Sequence, residues 1–159
     1  MPGVIECLLA ILFKMKNYLL IYLLFLSLFC RAQNQNSIWC FGDSSGINFG
    51  IPTTPFPFIS SVNGRGSCTS ISNGAGVLAF YSNTRTGLSG NTARVWDKNH
   101  QLMLNGDSIV GESWYNELTI VPFPEDSNKY YLFSIGITGS SQYGFYYSVI
   151  DLQQNGGLG

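Results

Sequence analysis

The sequence predicts an all-β fold: about two antiparallel β-propeller-like blades, an incomplete propeller, preceded by a helical signal peptide. Three observations carry this expectation. The stretch from Cys68 to Asp97 reads as three strands in succession, Thr69–Ser72, Val77–Ser82 and Ala93–Asp97, the first two joined by Asn73-Gly74-Ala75-Gly76. Asn-Gly between apolar runs signals a tight hairpin, because both residues tolerate positive φ. The same order then returns in Leu118–Phe123, Tyr130–Ile135 and Phe145–Asp151, with Phe80 matched by Phe133 and Val95-Trp96-Asp97 by Val149-Ile150-Asp151. Self-similarity of about 40 to 50 residues with several strands per unit is how propeller blades read in sequence, and coincidence among aromatic strands is the competing reading. Finally, no stretch of ten or more residues after the leader has apolar residues spaced three and four apart, so almost no helix is expected there.

The elements follow in chain order. Residues 1–32 read as a signal peptide. Met15-Lys16-Asn17 is a short basic start, Tyr18–Phe29 is unbroken apolar sequence, and Cys30-Arg31-Ala32 offers a small residue for cleavage after Ala32. As a helix, twelve apolar residues cover about 18 Å against a hydrocarbon core of about 30 Å, which favours a cleaved leader over a permanent anchor. A second apolar run, Cys7–Phe13, lies upstream behind Glu6. Translation from Met15 accounts for it; a start at Met1 would give a longer, anchored leader. The Phe29 that precedes Cys30 departs from the small residue a bacterial lipid-attachment site needs.

Residues 33–36 are polar and expected to be a disordered linker, and 37–159 form the propeller-like part, with repeats at about 68–106 and 118–159. Ser37–Phe41 is the first strand, and Gly42–Gly46 turns the chain into Ile47–Phe49. Ile51–Phe58 carries three prolines, each lacking a ladder donor, and should be an extended edge or connection. Asp97–His100 is a turn into Gln101–Leu104, read as an outer strand closing the first blade, and Asn105-Gly106 turns again. Two blades cannot close around an axis. Either more chain completes the ring, the favoured reading, or the sheets close as a small sandwich.

Charge excludes one partner class. Lys14, Lys16, Arg31 and Glu6 leave with the leader, so five of the eight basic residues face eight of the nine acidic ones and the balance is −3. Nucleic acid is therefore not an expected partner. The remaining composition, rich in glycine, serine, asparagine and aromatics, suits an extracellular all-β protein. After the leader only Cys40 and Cys68 remain, an even pair that would either form a disulfide in an oxidising compartment or stay as two buried strand thiols.

Several segments carry a family resemblance: Ile38-Trp39-Cys40-Phe41-Gly42 with Gly46-Ile47-Asn48-Phe49, Ser70–Gly74 with Leu78–Ser82, Val95–His100, Met103–Gly106, Ile120–Pro122, Tyr130–Phe133, and Tyr147–Asp151 with Asn155–Leu158. Together, behind a leader ending in Ala-Gln, they resemble the N-terminal propeller-like region of large secreted surface proteins of Gram-negative bacteria, of the type associated with gliding motility and type IX secretion. The resemblance spans most of the chain after the leader. It implies cell-surface or secreted location and a propeller-like start, followed in such proteins by immunoglobulin-like repeats and a sorting domain, and it carries no catalytic motif onto this sequence. Trp96-Asp97 alone does not make a WD repeat, because the Gly-His pair is missing and Ile150 stands at the second position.

The residues capable of chemistry are few. His100, the only histidine, lies in a polar turn with no Gly-x-Ser-x-Gly elbow to supply a nucleophile, and reads as an exposed turn residue. One histidine with Cys40 and Cys68 falls short of a zinc ligand set. Asp43–Gly46 and Glu125–Asn128 place oxygens in short loops without the calcium-loop pattern, and read as turns. No catalytic residue, metal or cofactor is expected. Asp97 and Asp151, at matching strand ends, read as turn caps. Glu112 and Glu117 flank Trp114-Tyr115, carboxylates beside rings that suit a glycan surface. The expectation is a non-catalytic scaffold or binding module at the cell surface, the first part of a larger protein, with an extracellular glycan or protein as partner and membrane contact only through an uncleaved leader. The alternative is part of a glycan-acting enzyme with a propeller fold.

Overall fold

The computed structural model describes residues 2–29, 34–50, 54–64, 66–84, 92–111, 118–136, 139, 141 and 143–159. Two compact units divide the chain, 1–32 and 33–159. The first is one helix, α1 (Pro2–Phe29), which runs through both apolar runs and the lysines between them without a break at Met15. Lys14 and Lys16 interrupt its apolar sequence, and among the described residues no helix is long and apolar enough to cross a membrane. The proposed cleavage point after Ala32 lies outside the described residues.

The second unit is built of antiparallel sheet, as the alternating sequence predicts. Among the described residues three sheets are present where about two were expected. Strands β1 (Ile38–Cys40), β2 (Ser45–Asn48) and β3 (Phe56–Ile59) make the first sheet. Strands β4 (Cys68–Ser72), β5 (Leu78–Asn83), β6 (Thr92–Asp97) and β7 (Ile109–Val110) make the second. Strands β8 (Leu118–Pro122), β9 (Lys129–Gly136) and β10 (Gly144–Asp151) make the third. Within each sheet the strands lie in chain order, and the first strands stand beside one another, β1 against β4 and β4 against β8.

Local chemistry sets each turn. Asp43 (φ 56) and Ser44 (φ 60) adopt left-handed backbone so that β1 and β2 can pair. Pro57 sits in β3, an edge strand, where its missing N–H costs no ladder bond, as the proline-rich sequence predicts. In the hairpin of the second sheet the positive φ falls on Gly76 (φ 81), and neither Asn73 nor Gly74 takes it. The Asn73 side-chain oxygen instead accepts the N–H groups of Ala75 (3.0 Å) and Val77 (3.1 Å), holding the turn from within. Of the stretch 33–36 read as linker, the described residues are hydrogen-bonded: Gln35 O accepts the N–H of Ser72 (2.8 Å) and Asn36 O that of the Trp39 indole (3.0 Å).

The outer strand of the second sheet differs from expectation. Gln101–Leu104 does lie along β6, with the Asp97 N–H on Gln101 O and the Met103 N–H on Val95 O (both 2.9 Å), but it is cut to an isolated bridge, Leu102 to Trp96, because the chain turns again at once through Asn105 (φ 60). The edge is made by β7, which pairs with Thr92 and Ala93.

Two cores hold the sheets together. Ile71, Phe80, Val95 and Met103 of the second sheet region pack against Leu118, Tyr130, Leu132 and Ile150 of the third. On the opposite face Leu78, Tyr81 and Trp96 meet Ile38, Cys40 and Val62. A β-bulge makes this possible. Ile71 pairs with Phe80 and Ser72 with Leu78, leaving Ala79 unpaired, and the extra residue reverses the alternation so that Leu78 and Tyr81 serve the same face. The second sheet is thus covered on both sides. At about 25 cal/mol per Å² of apolar surface, each fully buried Phe or Leu here contributes about 2 kcal/mol to cohesion.

Candidate functional site

The strand ends hold the site. Asp97 closes β6, and its carboxylate accepts the N–H groups of Asn99 (2.8 Å) and Gln101 (2.9 Å). Asp151 closes β10 in the same manner, accepting from Gln153 (3.0 Å), so both aspartates cap turns as their sequence positions suggest. The Asp97 turn puts His100 into left-handed backbone (φ 63), an uncommon state for a residue with a side chain. His100 is half-buried, contrary to the exposed turn residue its polar neighbours imply. Its ring lies 5.6 Å from Phe58 and 5.7 Å from Tyr81, centre to centre.

Tyr81 is the post that fixes it. Fully buried and stacked on Trp96 (5.4 Å, 14° between planes), Tyr81 directs its hydroxyl to His100 Nδ1 at 3.0 Å. The Ser61 N–H donates to the same hydroxyl (3.0 Å), and Ser61 Oγ donates to His100 O (2.8 Å). The Tyr81 hydroxyl thus ties up Nδ1 and leaves Nε2 as the ring nitrogen open to another partner. Burial pushes the Tyr81 phenol above its ordinary range, partly offset by the Ser61 hydrogen bonds. It serves as a neutral hydrogen-bonding post.

Beside this group is a cavity of about 380 Å³ between the first and second sheets, within the range of small-molecule sites. Phe56, Phe58, Ile38 and Leu78 form apolar walls, and Asn48, Lys98 and His100 bring polar groups to it. Gly46 is opposite Phe58 in the β2–β3 ladder, and a Cβ there would run into the Phe58 ring, so the glycine gives that ring its seat.

Cys40 and Cys68 belong to the same apolar cluster, and both thiols are free in the structure. Burial, with Cys68 nearby, pushes the Cys40 thiol up to about 12. Burial also raises Cys68, while donors from Asn83 (2.9 Å to Sγ) and the Gly42 backbone pull the other way. The glycan surface expected at Glu112, Trp114, Tyr115 and Glu117 lies outside the described residues. Asp43–Gly46 is a strand turn, and Asp126 caps Asn128 (3.0 Å) and pairs with Lys129 (3.2 Å). Among the described residues no group of three or more His, Cys, Asp or Glu could hold a metal.

Two outer faces carry exposed rings. On the third sheet Phe123, Tyr131, Phe133 and Phe145 form a run of stacked rings, 4.9 to 5.6 Å apart, with Tyr147 edge-on to Tyr131 at 5.8 Å. Phe145 is 68% and Tyr147 64% exposed. On the first sheet Trp39 meets Phe49 at 5.1 Å and Phe41 at 6.2 Å, and all three are exposed. Between the second and third sheets Phe80 meets Tyr130 (5.3 Å), whereas alternation along β9 and β10 sends Tyr131, Phe133, Phe145 and Tyr147 to the outer face.

Fold and site define a mostly β-sheet chain of three antiparallel sheets, with a small-molecule-sized cavity between two of them and aromatic outer faces on the terminal pair. Comparison of the chain with protein-family models, with curated proteins and with solved structures finds no match.

Proposed function

We propose that this chain is the N-terminal part of an exported, cell-surface or secreted protein, and that it acts there as a non-catalytic β-propeller-like scaffold and binding module. One observation carries the reading: each sheet's first strand adjoins the first strand of the next, and the same face of successive sheets is covered once and left open once. Phe80 and Val95 of the second sheet lie under the third, whereas their counterparts Phe133 and Val149 lie on its outer face. Strands fanning from adjacent inner strands are blade geometry, and a further β-sheet is what the aromatic face of the third would receive. The exposed rings of Trp39, Phe41 and Phe49 give the first sheet the matching need at the other end. The basic, apolar and small-residue order of the leader supports export, and the sparse charge argues against nucleic acid.

Sedimentation of the full chain tests the reading. Deprived of further sheets, the two ring faces should meet head to tail, giving open oligomers of the kind a heterologous interface produces. Phe145→Ser with Tyr147→Ser should restore a monomer. Monomers at all concentrations in the unsubstituted chain would count against it.

A further inference from the structure

We infer that the cavity between the first and second sheets is a binding site for a ring-sized carboxylate, its acid group held by Lys98 and His100 and its ring laid against Phe56 and Phe58. The argument starts from the donors. His100 has Nδ1 engaged by the Tyr81 hydroxyl, so Nε2 is the nitrogen it offers a ligand, and it donates from there whenever Nδ1 accepts the Tyr81 proton. Asn48 has its side-chain oxygen taken by the Gly50 N–H (2.7 Å), which leaves its NH₂ group as a donor. Lys98 adds a full positive charge on an exposed side chain that has no ion-pair partner among the described residues. Among the described residues no carboxylate lines the cavity, and the acid in the same turn, Asp97, is occupied with the amides of Asn99 and Gln101.

Two fixed donors, a histidine nitrogen able to donate and no acidic acceptor among the described residues select an acceptor-rich, anionic group, and the charge-assisted bonds it would make are the strong kind. The opposite wall selects the body of the ligand. Phe56 is partly exposed and Phe58 is seated on Gly46, so the two rings offer a fixed apolar platform. A ring with one flat face lies well on such a platform. The volume of about 380 Å³ admits one ring with its acid group. The strained backbone at His100 and the buried Tyr81–Trp96 stack behind it hold the polar end in place before any ligand arrives, the preorganisation a binding site needs.

A sugar acid and an aromatic acid share this chemistry, and the experiment separates them. The full chain is titrated, by ligand-observed magnetic resonance and calorimetry, with glucuronate and benzoate, and with glucose and benzyl alcohol as uncharged counterparts. The expected result is binding of at least one acid at about millimolar or tighter, at least about tenfold tighter than its uncharged counterpart. Lys98→Met, at an exposed position, should abolish that preference, and His100→Asn, which keeps a residue tolerant of left-handed backbone, should weaken the acid about tenfold. Lys129→Met, in the third sheet, should change nothing. The inference is overturned if neither acid binds, if the uncharged compounds bind as well as the acids, or if Lys98→Met leaves the preference intact in a chain whose urea midpoint is unchanged. Glucuronate binding alone assigns a saccharide ligand, and benzoate binding alone an aromatic one. This inference deepens the binding-module reading and rests on it. Sedimentation reads the outer faces of the first and third sheets, so failure of acid binding with retained association would remove the ligand and leave the module.

Discussion

Phe80 and Phe133 occupy corresponding strand positions and should respond very differently to truncation. Phe80 has no exposed surface and packs on Tyr130 across the join between two sheets. Phe80→Ala removes a fully buried ring and leaves a cavity walled by Leu132 and Val95, residues that are themselves fully buried and tied to separate backbones. The loss should be about 3–5 kcal/mol. Phe133 is only partly covered and is held by stacking on Phe145 (5.3 Å) and Tyr131 (5.6 Å). With pair energies of about 0.5–1.5 kcal/mol, Phe133→Ala should cost about 1 kcal/mol. Urea unfolding followed by fluorescence reads the difference: for a slope near 2 kcal/mol per molar, the Phe80 variant's midpoint falls by about 2 M and the Phe133 variant's by about 0.5 M. The comparison is made under conditions where the Phe145→Ser, Tyr147→Ser background is monomeric. If Phe133→Ala cost as much as Phe80→Ala there, the outer face would already be covered, and the reasoning about an open sheet would be wrong.

Three further perturbations follow from the same geometry. Gly46→Ala should displace the Phe58 ring from His100, lowering the urea midpoint and moving the His100 ring resonances; an unchanged histidine spectrum would contradict the seat described for Phe58. Asp97→Ala strips two backbone N–H groups of their acceptor and should cost about 1–2 kcal/mol, with a midpoint shift under about 0.2 M counting against the turn-cap role. Cys40 has its folded-state pKa raised, from 9.0 to about 12, so its contribution is whole below 9 and is lost as the pH rises toward 12, where the unfolded chain sheds its proton first. Stability should therefore decline above pH 9, and more shallowly in Cys40→Val. Tyr81 and Tyr130, also raised by burial, add decline of the same sign from about 10 upward. A wild-type midpoint that is flat across this window would refute the assignment.

What could be read in the sequence, and what could not, divides along physical lines. Strands of five or more residues with strong alternation, such as Tyr130–Ile135 and Phe145–Asp151, were legible because one pattern sets both the strand and its buried face. The strand at Ser37–Phe41, the turn into Ile47–Phe49 and the proline-bearing edge could be read too, but not their union into a sheet of its own, since β1 to β3 are three or four residues each. The two-residue strand β7 has no periodicity to detect; only its partners at Thr92 and Ala93 define it. The bulge at Ala79 is likewise set by packing on both faces of the second sheet. The cavity was hidden for a different reason. Its members come from β1, β2, β3, β5 and the Asp97 turn, and no local spacing joins them. The lone histidine three residues after a strand-capping aspartate was the only signal, and it reads as polar until Tyr81 and Phe58 are placed beside it.

The central claim, that three blade-like sheets await further sheets on their ringed outer faces, is tested most directly by measuring the mass of the native protein in its source, using an antibody raised against residues 34–159. The account predicts a secreted or surface-bound species whose denatured chain mass is well above that of 159 residues. A monomeric species of the size of the chain itself would contradict it.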